Sequence, residues 1–517
     1  MKTLADMITR GVRLYGAQTA VIFDGRSYTF AEQASRMYRL ANALFARGVR
    51  QQERVAILAR NCSEYIEVFG AGEVAGFTIV NLNIRLAEPE LVTICADCRP
   101  AVLLFTEEFA TLAARLVKTT PSIRRTFCIG GEAAGAERYE DVLRGASAEP
   151  PALRPRADHT AYLMYTSGTT GGPKGVMIGH AAALEAARTL SHEAGPPPGK
   201  SLIVMPLFHL GGKIEHMAFS LLGNTIVLKS AFDAIDILRT IERERIVAAH
   251  FAPVMVQRLL DELEVSSFDV TSLRCVHYAS APMPVPVLRR AIARLGPIFI
   301  QVYGMTECIV GSILLPQHHR PDGDETDIRR LASAGQPTWG NDVKVVRPDG
   351  SDCAVGEIGE ILFHSPTVTQ GYWNNHTATV EALRDGWYHT QDLGEIDADG
   401  FLYVLDRKKD MIISGGENIY SWEVEEALRT HPAVAEVAVI AVPDTSWGEA
   451  VKACVVLRSG HAASDGEIID HCRSRIASYK KPRSVDFLEA LPRVFNGKVD
   501  KKALRAKYWQ SQDRQVS

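Results

Sequence analysis

The chain has 517 residues, of which 46% are hydrophobic and 23% are charged, a composition that is ordinary for a globular protein. This length exceeds what one compact hydrophobic core normally contains, so we expect two or more domains. The formal net charge of −4 provides no general basic field, which argues against nucleic acid as a partner.

The cysteines and the N-terminal residues bear on the compartment. The nine cysteines are scattered and odd in number, which favours a reducing compartment over a disulfide framework. Residues 1–16 lack the uninterrupted apolar core of a signal peptide. No stretch approaches the roughly 20 apolar residues that a membrane-spanning helix needs. The sequence therefore predicts a cytoplasmic protein without stable membrane insertion.

Short apolar runs alternate with helical patterns in the first part of the chain. Residues 54–58, 101–105, 201–205 and 225–228 are such runs, and residues 237–245 have the spacing of an amphipathic helix. This alternation predicts an α/β fold with largely buried sheets.

The pattern changes after Gly356, where short strands and turns predict a small β-rich lobe. A charge cluster at residues 406–410 then separates two apolar runs, as domain linkers often do. We expect the boundary here, with an N-terminal domain of residues 1–406 and a C-terminal domain of residues 407–517. The C-terminal part again alternates strand and helix patterns, which predicts a small α/β domain.

The most informative segment is residues 165–176, Tyr-Thr-Ser-Gly-Thr-Thr-Gly-Gly-Pro-Lys-Gly-Val, which follow a short apolar strand. Glycines let backbone amides approach an anion closely, and the hydroxyls and Lys174 add donors and positive charge. Pro173 and Gly175 stand where a Walker A loop has glycine and Ser or Thr, so the site is of another type. The candidate polyphosphate-binding residues are Thr166, Ser167, Gly168, Thr169, Thr170, Gly171 and Lys174.

This segment resembles the phosphate-binding signature of the adenylate-forming superfamily, which includes acyl- and aryl-CoA ligases, peptide-synthetase adenylation domains and insect luciferases. The resemblance extends over nearly the whole chain. It implies a large N-terminal domain of α/β subdomains with a β-rich lobe, followed by a small mobile C-terminal domain. It also implies ATP and Mg²⁺, coenzyme A as a co-substrate and a small-molecule carboxylic acid, and it leaves a homodimer open.

Residues 301–307, Gln-Val-Tyr-Gly-Met-Thr-Glu, resemble a second signature of the superfamily. The resemblance implies that Tyr303, next to Gly304, stacks on adenine and that Thr306 contacts the α-phosphate. It implies that Glu307 helps to hold Mg²⁺, a cation that prefers oxygen ligands. Another segment, Ser280, Ala281 and Pro282, is similar to the small-residue segment whose backbone borders adenine in the superfamily. The match is partial, because members often have glycine near Ser280.

Two further segments resemble parts of the nucleotide and acyl sites. Residues 205–209 are similar to the segment that carries a gate between the acyl pocket and the thiol tunnel, which implies a gating role for His209. Asp392 matches a ribose-binding aspartate, whose carboxylate can accept hydrogen bonds from both ribose hydroxyls. Gln391 stands where the family usually has glycine. Arg407 resembles the arginine that also contacts the ribose.

The C-terminal matches concern the hinge, the thiol tunnel and the catalytic lysine. Lys409 lies at the family's hinge position. The residues implied to line the tunnel for coenzyme A are Ser414, Gly415 and Gly416. Residues 492–498 resemble the terminal signature, with Asn496 where the family often has threonine. The resemblance implies that Lys498 bridges the attacking carboxylate and the phosphate, which suits a flexible point charge.

The expected function is therefore an acid–CoA ligase of fatty or aromatic acid metabolism. It would convert a carboxylate and ATP into an acyl-adenylate and pyrophosphate, and then form acyl-CoA and AMP. An acyl-AMP ligase or adenylation enzyme that loads a carrier protein is one alternative. A non-catalytic sensor of acyl-adenylate is the other, and the charged residues Glu307, Asp392, Arg407 and Lys498 argue against it.

The resemblance also implies the lining of an acyl pocket, namely Gly211, Gly212, Ile214, Phe251, Ala252, Val254, Ser280, Cys308 and Ile309. This set is mainly apolar and has small residues near the gate, which indicates room for a branched, aryl or medium-chain group. Lys213 either pairs with a second carboxylate of the substrate or points into solvent. The identity of the acid is left open.

Overall fold

The computed structural model describes residues 1–166, 172–415, 417–493 and 498–509. The α-helices are α1 (Leu4–Tyr15), α2 (Phe30–Ala46), α3 (Ser63–Ala75), α4 (Glu88–Cys98), α5 (Ala110–Thr119), α6 (Tyr139–Arg144), α7 (His180–Ala194), α8 (Leu210–Leu221), α9 (Ala234–Glu244), α10 (Pro253–Val265), α11 (Val285–Leu295), α12 (Glu325–Arg330), α13 (His376–Ala382), α14 (Ser421–Arg429), α15 (Asp465–Arg473) and α16 (Lys501–Ala506). Short 3₁₀ segments lie at Glu107–Phe109, Pro316–His318 and Lys408–Asp410.

The strands are β1 (Thr19–Phe23), β2 (Arg26–Thr29), β3 (Arg54–Leu58), β4 (Thr78–Asn81), β5 (Val102–Thr106), β6 (Arg125–Ile129), β7 (Glu137–Arg138), β8 (Thr160–Thr166), β9 (Lys174–Gly179), β10 (Lys200–Ile203), β11 (Thr225–Leu228), β12 (Ile246–Phe251), β13 (Cys275–Tyr278), β14 (Phe299–Tyr303), β15 (Ser312–Leu314), β16 (Gln336–Pro337), β17 (Asp342–Val346), β18 (Gly359–His364), β19 (Leu383–Arg384), β20 (Trp387–Ile396), β21 (Leu402–Arg407), β22 (Ile412–Ser414), β23 (Glu417–Ile419), β24 (Val434–Asp444), β25 (Gly448–Leu457) and β26 (Ser484–Phe487).

The chain forms two compact units. The first contains Met1–Asp342 and Phe363–Tyr388, and the second contains Val343–Leu362 and His389–Ser517. This division groups most of the β-rich lobe with the C-terminal residues. The boundary expected at residues 406 and 407 stays a prediction.

Two mainly parallel sheets form the core of the first unit. One has the strand order β7-β6-β5-β3-β4-β8-β9, in which only the β8–β9 pair is antiparallel among the described residues. The other has the order β16-β15-β14-β13-β12-β10-β11-β1-β2, in which β14 to β1 run parallel. Parallel strands end at one edge of their sheet, and ligands usually bind at that edge.

Helices cover both faces of these sheets. The largest apolar cluster joins side chains of both sheets to α1, α2, α3, α7 and α8. On the other face of the β14–β1 sheet, a second cluster packs α9, α10 and α11, and α4 and α5 pack on the other face of the β3–β8 sheet. Because their faces are covered, these strands are mostly buried. This arrangement confirms the α/β fold class predicted from the sequence.

Local sequence signals explain where several helices begin. The Thr29 hydroxyl accepts a hydrogen bond from the backbone of Glu32, whose carboxylate accepts one from the Thr29 backbone at 2.8 Å. Ser464 and Glu467 form the same reciprocal cap at the start of α15. Each cap satisfies two backbone amides that a helix start otherwise leaves without partners. Pro253 opens α10, a position that needs no amide hydrogen.

The second unit is built on antiparallel strands. One sheet has the order β17-β18-β20-β19 with β21 paired to β20, and most of its residues belong to this unit. The other has the order β23-β22-β25-β24 with β26 paired to β25. One face of the β24–β25 hairpin packs against α14 and α15, and the other packs against α16. These elements match the α/β pattern predicted for the C-terminal part.

The length and apolar character of the helices bear on membrane insertion. Among the described residues, no helix has both the length and the apolar character needed to cross a bilayer.

Candidate active site

The predicted phosphate-binding segment connects two neighbouring strands of the first unit. Strands β8 and β9 are antiparallel, and Thr166 and Lys174 are directly opposite each other in their ladder. Lys174 is half-buried, and its Nζ lies 5.2 Å from the centre of the Tyr372 ring. Five of the predicted ligands lie outside the described residues: Ser167, Gly168, Thr169, Thr170 and Gly171.

A segment from much later in the chain runs beside β9. The amide of Trp373 donates a 2.7 Å hydrogen bond to the carbonyl of Gly175, and the amide of Met177 donates a 3.0 Å hydrogen bond to the carbonyl of Gly371. The Thr369 hydroxyl adds a 2.8 Å bond to the carbonyl of Met177. These bonds fix the position of Tyr372 beside the predicted phosphate-binding segment.

Tyr372 connects this segment to the predicted metal ligand. Its phenol donates a 3.0 Å hydrogen bond to the Glu307 carboxylate, and the amide of Thr369 donates a 2.7 Å bond to the Glu307 carbonyl. Burial, and then the Glu307 carboxylate, raise the pKa of Tyr372, so the phenol stays protonated and donates. Tyr372 therefore contacts both Glu307 and Lys174, and it was not among the candidates from the sequence.

The second signature begins within β14, whose last residue is Tyr303, and continues past the carboxyl end of that strand. Tyr303 and Thr306 are half-buried, and the turn is closed by a 2.8 Å hydrogen bond from the Met305 amide to the Cys308 carbonyl. At Gly304 any Cβ would collide with the carbonyl oxygen of Ile309, so this position accepts only glycine. This tight turn therefore places Tyr303 and Thr306 close together at the edge of the sheet.

Two of the residues in or beside the predicted nucleotide site adopt left-handed, glycine-like backbone conformations. Ser280 follows β13 with φ of 74°, and Gln391 precedes Asp392 with φ of 61°. L-residues seldom occupy this left-handed region, because Cβ approaches the following carbonyl oxygen. Ala281 and Pro282 follow Ser280 at the same edge of the sheet.

In the second unit the predicted ribose ligands form an ion pair. Asp392 and Arg407 are cross-strand neighbours in β20 and β21, and Asp392 Oδ1 lies 2.6 Å from Arg407 Nε. Asp392 is 2% exposed, whereas Arg407 is partly exposed. The pair can therefore present donors and acceptors together to a diol.

Lys498 belongs to the same cluster. Burial, and then the Arg407 cation, lower its pKa to about 8, while the Asp392 carboxylate opposes this shift. Lys409 also acts on Lys498 through its charge. Folding of the second unit thus brings Asp392, Arg407, Lys409 and Lys498 together, although they are far apart in the sequence.

The predicted hinge residue lies between two anchored carboxylates. Asp406 accepts 2.7 Å hydrogen bonds from the amide and the hydroxyl of Ser421, and Asp410 forms a 2.6 Å ion pair with Arg505. Lys409 lies between them in a 3₁₀ segment, and burial lowers its pKa. Both sides of Lys409 are therefore held against helices of the C-terminal part.

The predicted tunnel loop connects β22, which ends at Ser414, to β23. Gly415 has φ of 61°, and its amide donates a 2.9 Å hydrogen bond to the carbonyl of Trp447. A Cβ on Gly415 would collide with the Trp447 ring, so glycine is required here. The Trp447 side chain is 46% exposed, and Arg483 Cζ lies 4.8 Å from its ring centre. Gly416 lies outside the described residues.

His209 immediately precedes α8 and is half-buried. Burial, and then the Arg85 cation, lower its pKa to about 3, so its imidazole is neutral near pH 7. The ring centre of Phe208 lies 4.6 Å away. A neutral imidazole at the start of α8 is compatible with the implied gating role.

The residues predicted for the acyl pocket divide between two faces of a sheet. Ile214 of α8 and Ile309 belong to the largest apolar cluster, and Cys308 is also buried. Phe251 belongs to the cluster on the other face, where it borders a cavity of about 10 Å³. Of the other candidates, Ala252 is buried, Val254 is half-buried, and Gly212 packs too closely on the Met205 and Pro206 carbonyls for a Cβ.

Lys213 occupies neither of the two places expected from the sequence. Its side chain is 1% exposed, and its Nζ lies 2.6 Å from Glu73 Oε1 and 4.5 Å from the Phe69 ring centre. The Tyr162 phenol donates a hydrogen bond to the same Glu73 oxygen at 2.5 Å. Both expectations for Lys213 are therefore wrong, because Glu73 of α3 supplies a carboxylate inside the protein.

The first unit holds a hairpin with Lys174 and a hydrogen-bonded tyrosine and glutamate, and the second unit holds an aspartate–arginine pair beside a lysine. These groups suit an enzyme that binds a nucleotide. Residues 8–373 match the AMP-binding enzyme family, and residues 423–498 match the AMP-binding enzyme C-terminal domain. The chain belongs to this family, as its resemblance to the adenylate-forming superfamily implied. Within it, the chain is an AMP-forming acid–CoA ligase, as the following similarities show.

A feruloyl-CoA synthase from Amycolatopsis is 38% identical over 507 residues, which cover 98% of this chain and 99% of the relative. An indoleacetate–CoA ligase from Aromatoleum aromaticum is 35% identical and covers 97% of each chain. The structure of o-succinylbenzoate CoA synthetase from Bacillus subtilis, in complex with its acyl-adenylate intermediate, has a TM-score of 0.84, 32% identity and 99% coverage of both chains.

Proposed function

We propose that this ligase activates an aryl carboxylic acid with ATP and transfers the acyl group to coenzyme A. The observation that carries the residue assignments is the cluster of Lys498 with the Asp392–Arg407 pair. Relatives that act on ferulate, indoleacetate and succinylbenzoate support the choice of an aryl acid. Fatty acids form the second class to be tested.

In the first half-reaction, a carboxylate oxygen of the acid bonds to the α-phosphorus of ATP, and the bond to pyrophosphate breaks. Two anions must approach each other, so neutralisation of charge and positioning dominate catalysis. Lys498 provides a cation that contacts both reactants, and Asp392 and Arg407 hold the ribose. Thr166, Lys174 and the segment between them bind the β- and γ-phosphates, while Thr306 contacts the α-phosphate and Tyr303 stacks on adenine.

The residues near Glu307 suit Mg²⁺. The cation prefers oxygen ligands and usually bridges a carboxylate and substrate phosphates, and Glu307 provides the carboxylate, oriented by Tyr372. When bound, Mg²⁺ supplies neutralisation of phosphate charge. The ring of Tyr372 meanwhile faces Lys174 and fixes the direction of that side chain.

In the second half-reaction, a thiol sulfur bonds to the acyl carbon and AMP leaves. We propose that residues 407–517 turn about Lys409 between the two steps, which removes Lys498 and brings Ser414, Gly415 and Gly416 to the thiol tunnel. Full thioester formation by a Lys409→Pro variant would contradict this pivot.

The exposed Trp447 ring next to Gly415 supports coenzyme A, rather than a carrier protein, as the thiol donor. An aromatic face with an adjacent Arg483 suits a nucleotide base and its phosphates. Trp447→Ala should raise the KM for coenzyme A about tenfold, because the variant loses the stacking energy of one base. Acyl-adenylate formation should stay intact. Trp339→Ala removes another exposed tryptophan, 77% exposed, and serves as the matched control.

We also propose a cytoplasmic location, which the nine unpaired cysteines support because such thiols persist in a reducing compartment. A homodimer stays a prediction.

Pyrophosphate release across a panel of acids, with and without coenzyme A, tests the proposed function. The panel contains benzoates, cinnamates, arylacetates, dicarboxylates and fatty acids of increasing length. Multiple turnovers that require coenzyme A, for an aryl acid, are the expected result. A single turnover unaffected by coenzyme A would indicate loading of a carrier protein, and no release with any acid would indicate a sensor.

A further inference from the structure

His250 is a buried imidazole near the carboxyl end of β12. It is 2% exposed, and neither ring nitrogen has a hydrogen-bond partner among the described residues. Buried polar groups in folded proteins nearly always have such partners, and a missing one calls for an explanation. The nearest polar side chains, Glu215 and His277, are hydrogen-bonded to each other instead.

The nearest acidic group is already occupied. Both oxygens of Glu215 lie 2.9 Å from His277 Nδ1, whereas His250 Nδ1 is 3.7 Å from Glu215 Oε1. His277 Nε2 lies 2.8 Å from the carbonyl of Ala194. Because both ring nitrogens of His277 face acceptors, both carry hydrogen and the ring is cationic. Although burial opposes it, the Glu215 carboxylate raises the pKa of His277 accordingly.

His250 therefore remains neutral. Burial lowers its pKa, the Glu215 carboxylate opposes this shift, and the His277 cation adds to it. A neutral imidazole has one nitrogen that donates and one that accepts. The ring thus offers two complementary hydrogen-bonding positions that the described residues do not use.

The position of His250 relates it to the predicted acyl pocket. Side chains alternate along β12, so His250 faces α8 while Phe251 faces the opposite cluster. β12 is parallel to β10, β13 and β14, so its end lies at the edge of the sheet that carries Ser280 and Tyr303. The sheet therefore directs His250 toward the region where the start of α8 and the nucleotide residues meet.

Gly211, in the first turn of α8, places no side chain between that helix and this ring. It is half-buried, and a Cβ placed there would have one neighbour within 4 Å among the described residues outside its own helix, His250 Cε1 at 3.4 Å. Glycine weakens a helix relative to alanine, by about 1 kcal/mol. An imidazole that lacks partners among the described residues thus lies against Gly211, two residues after the predicted gate, His209.

We propose that His250 is a specificity-determining residue that hydrogen-bonds a hydroxyl group on the acid, so that the preferred substrates are hydroxylated aryl acids. This inference rests on the proposed function, because it takes Gly211 to border the acyl pocket. A hydroxyl can donate to the unprotonated nitrogen of a neutral imidazole or accept from its N–H, so it can pair with whichever of the two nitrogens it reaches. Sites built to bond a substrate hydroxyl discriminate strongly against analogues without it, because their own polar groups are then left unsatisfied.

Matched pairs of acids that differ by one hydroxyl test this proposal. Cinnamate is compared with its 2-, 3- and 4-hydroxy derivatives, and benzoate and phenylacetate with theirs, by kcat/KM for pyrophosphate release. We expect the wild type to prefer at least one hydroxylated member about ten- to hundredfold. His250→Leu should abolish that preference, while His250→Gln, which keeps a donor and an acceptor, should retain part of it.

Comparing ratios within each variant removes general effects of folding on activity. Gly211→Ala gives a second variant, since its methyl group would meet the ring at an ordinary contact distance and crowd the approach of a substrate to it. It should reduce the preference as well. A wild type that makes no distinction within any pair, or a preference that survives in His250→Leu, would overturn the proposal. No pyrophosphate release with any acid would contradict the proposed function instead.

Discussion

The phenol of Tyr372 donates a 3.0 Å hydrogen bond to the carboxylate of Glu307, and its ring lies 5.2 Å from the ammonium group of Lys174. One side chain thus orients both the predicted magnesium ligand and a cation of the predicted phosphate site. The bonds of residues 369–373 to β9 hold Tyr372 in this position.

Tyr372→Phe should lower kcat/KM for acyl-adenylate formation about tenfold, because Glu307 loses the donor that orients it. The aromatic ring beside Lys174 remains. A titration of pyrophosphate release with Mg²⁺ should show a higher requirement in the variant, which a general loss of packing would not produce. Tyr139→Phe is the matched control, because Tyr139 is a buried tyrosine that donates a 2.7 Å bond to Glu67 away from the site. Equal Mg²⁺ curves for the wild type and Tyr372→Phe would contradict this role.

Lys498→Ala should abolish acyl-adenylate formation by removing the cation that bridges two anions. Thioester formation from preformed acyl-adenylate should be largely spared, because Lys498 acts in the first step only. Separate assays of the two half-reactions measure the difference. Lys507→Ala is a suitable control, as Lys507 is a half-exposed lysine paired with Asp486. Similar losses in both half-reactions would show that Lys498 has a structural role.

The pH dependence of the first half-reaction should reflect Lys498. Burial and the Arg407 cation lower its pKa to about 8 in the free enzyme. Since the charged form is the one that neutralises the reactants, kcat/KM for ATP should be constant at lower pH and fall as the pH rises through about 8. In Lys498→Arg the guanidinium stays charged up to high pH, so its residual activity should lack this decline. A wild-type profile that is flat to pH 9.5 would be inconsistent with the assignment.

Lys213 and Glu73 should act on stability rather than on the choice of substrate. Lys213→Met leaves the buried Glu73 carboxylate without its cation and should lower the free energy of unfolding by about 3–5 kcal/mol. Adding Glu73→Gln should recover much of this loss, because the uncompensated charge is removed and Tyr162 keeps a partner. Urea unfolding measures both variants. If Lys213→Met stayed as stable as the wild type and lost activity only with dicarboxylic acids, the lysine would belong to the substrate site.

The residues that the sequence could identify are those whose chemistry is carried by local motifs. Asp392, Arg407 and Lys498 were proposed from separate segments, and the second unit brings them together. Tyr372 was not found in this way, because its partner Glu307 is 65 residues away and none of the segments singled out in the sequence contains Tyr372. Lys213 was misjudged for the same reason, since its partner Glu73 lies on a different helix.

The fold itself was largely accessible from hydrophobic patterns. The buried runs in the first part of the chain became β3, β5, β10 and β11, because parallel strands covered on both faces are apolar along their length. The sequence could not predict that Phe251 and Ile214 lie on opposite faces of the sheet. It depends on which face of β12 each position takes in the folded sheet.

The two backbone positions with left-handed conformations bear on how well this protein withstands heat. Ser280 and Gln391 have φ values of 74° and 61° although neither is glycine. An L-residue in this region is strained, because its Cβ approaches the following carbonyl oxygen, whereas glycine is not. Glycine at either position would follow the same path of the main chain without that strain, which makes these two places a source of thermal robustness.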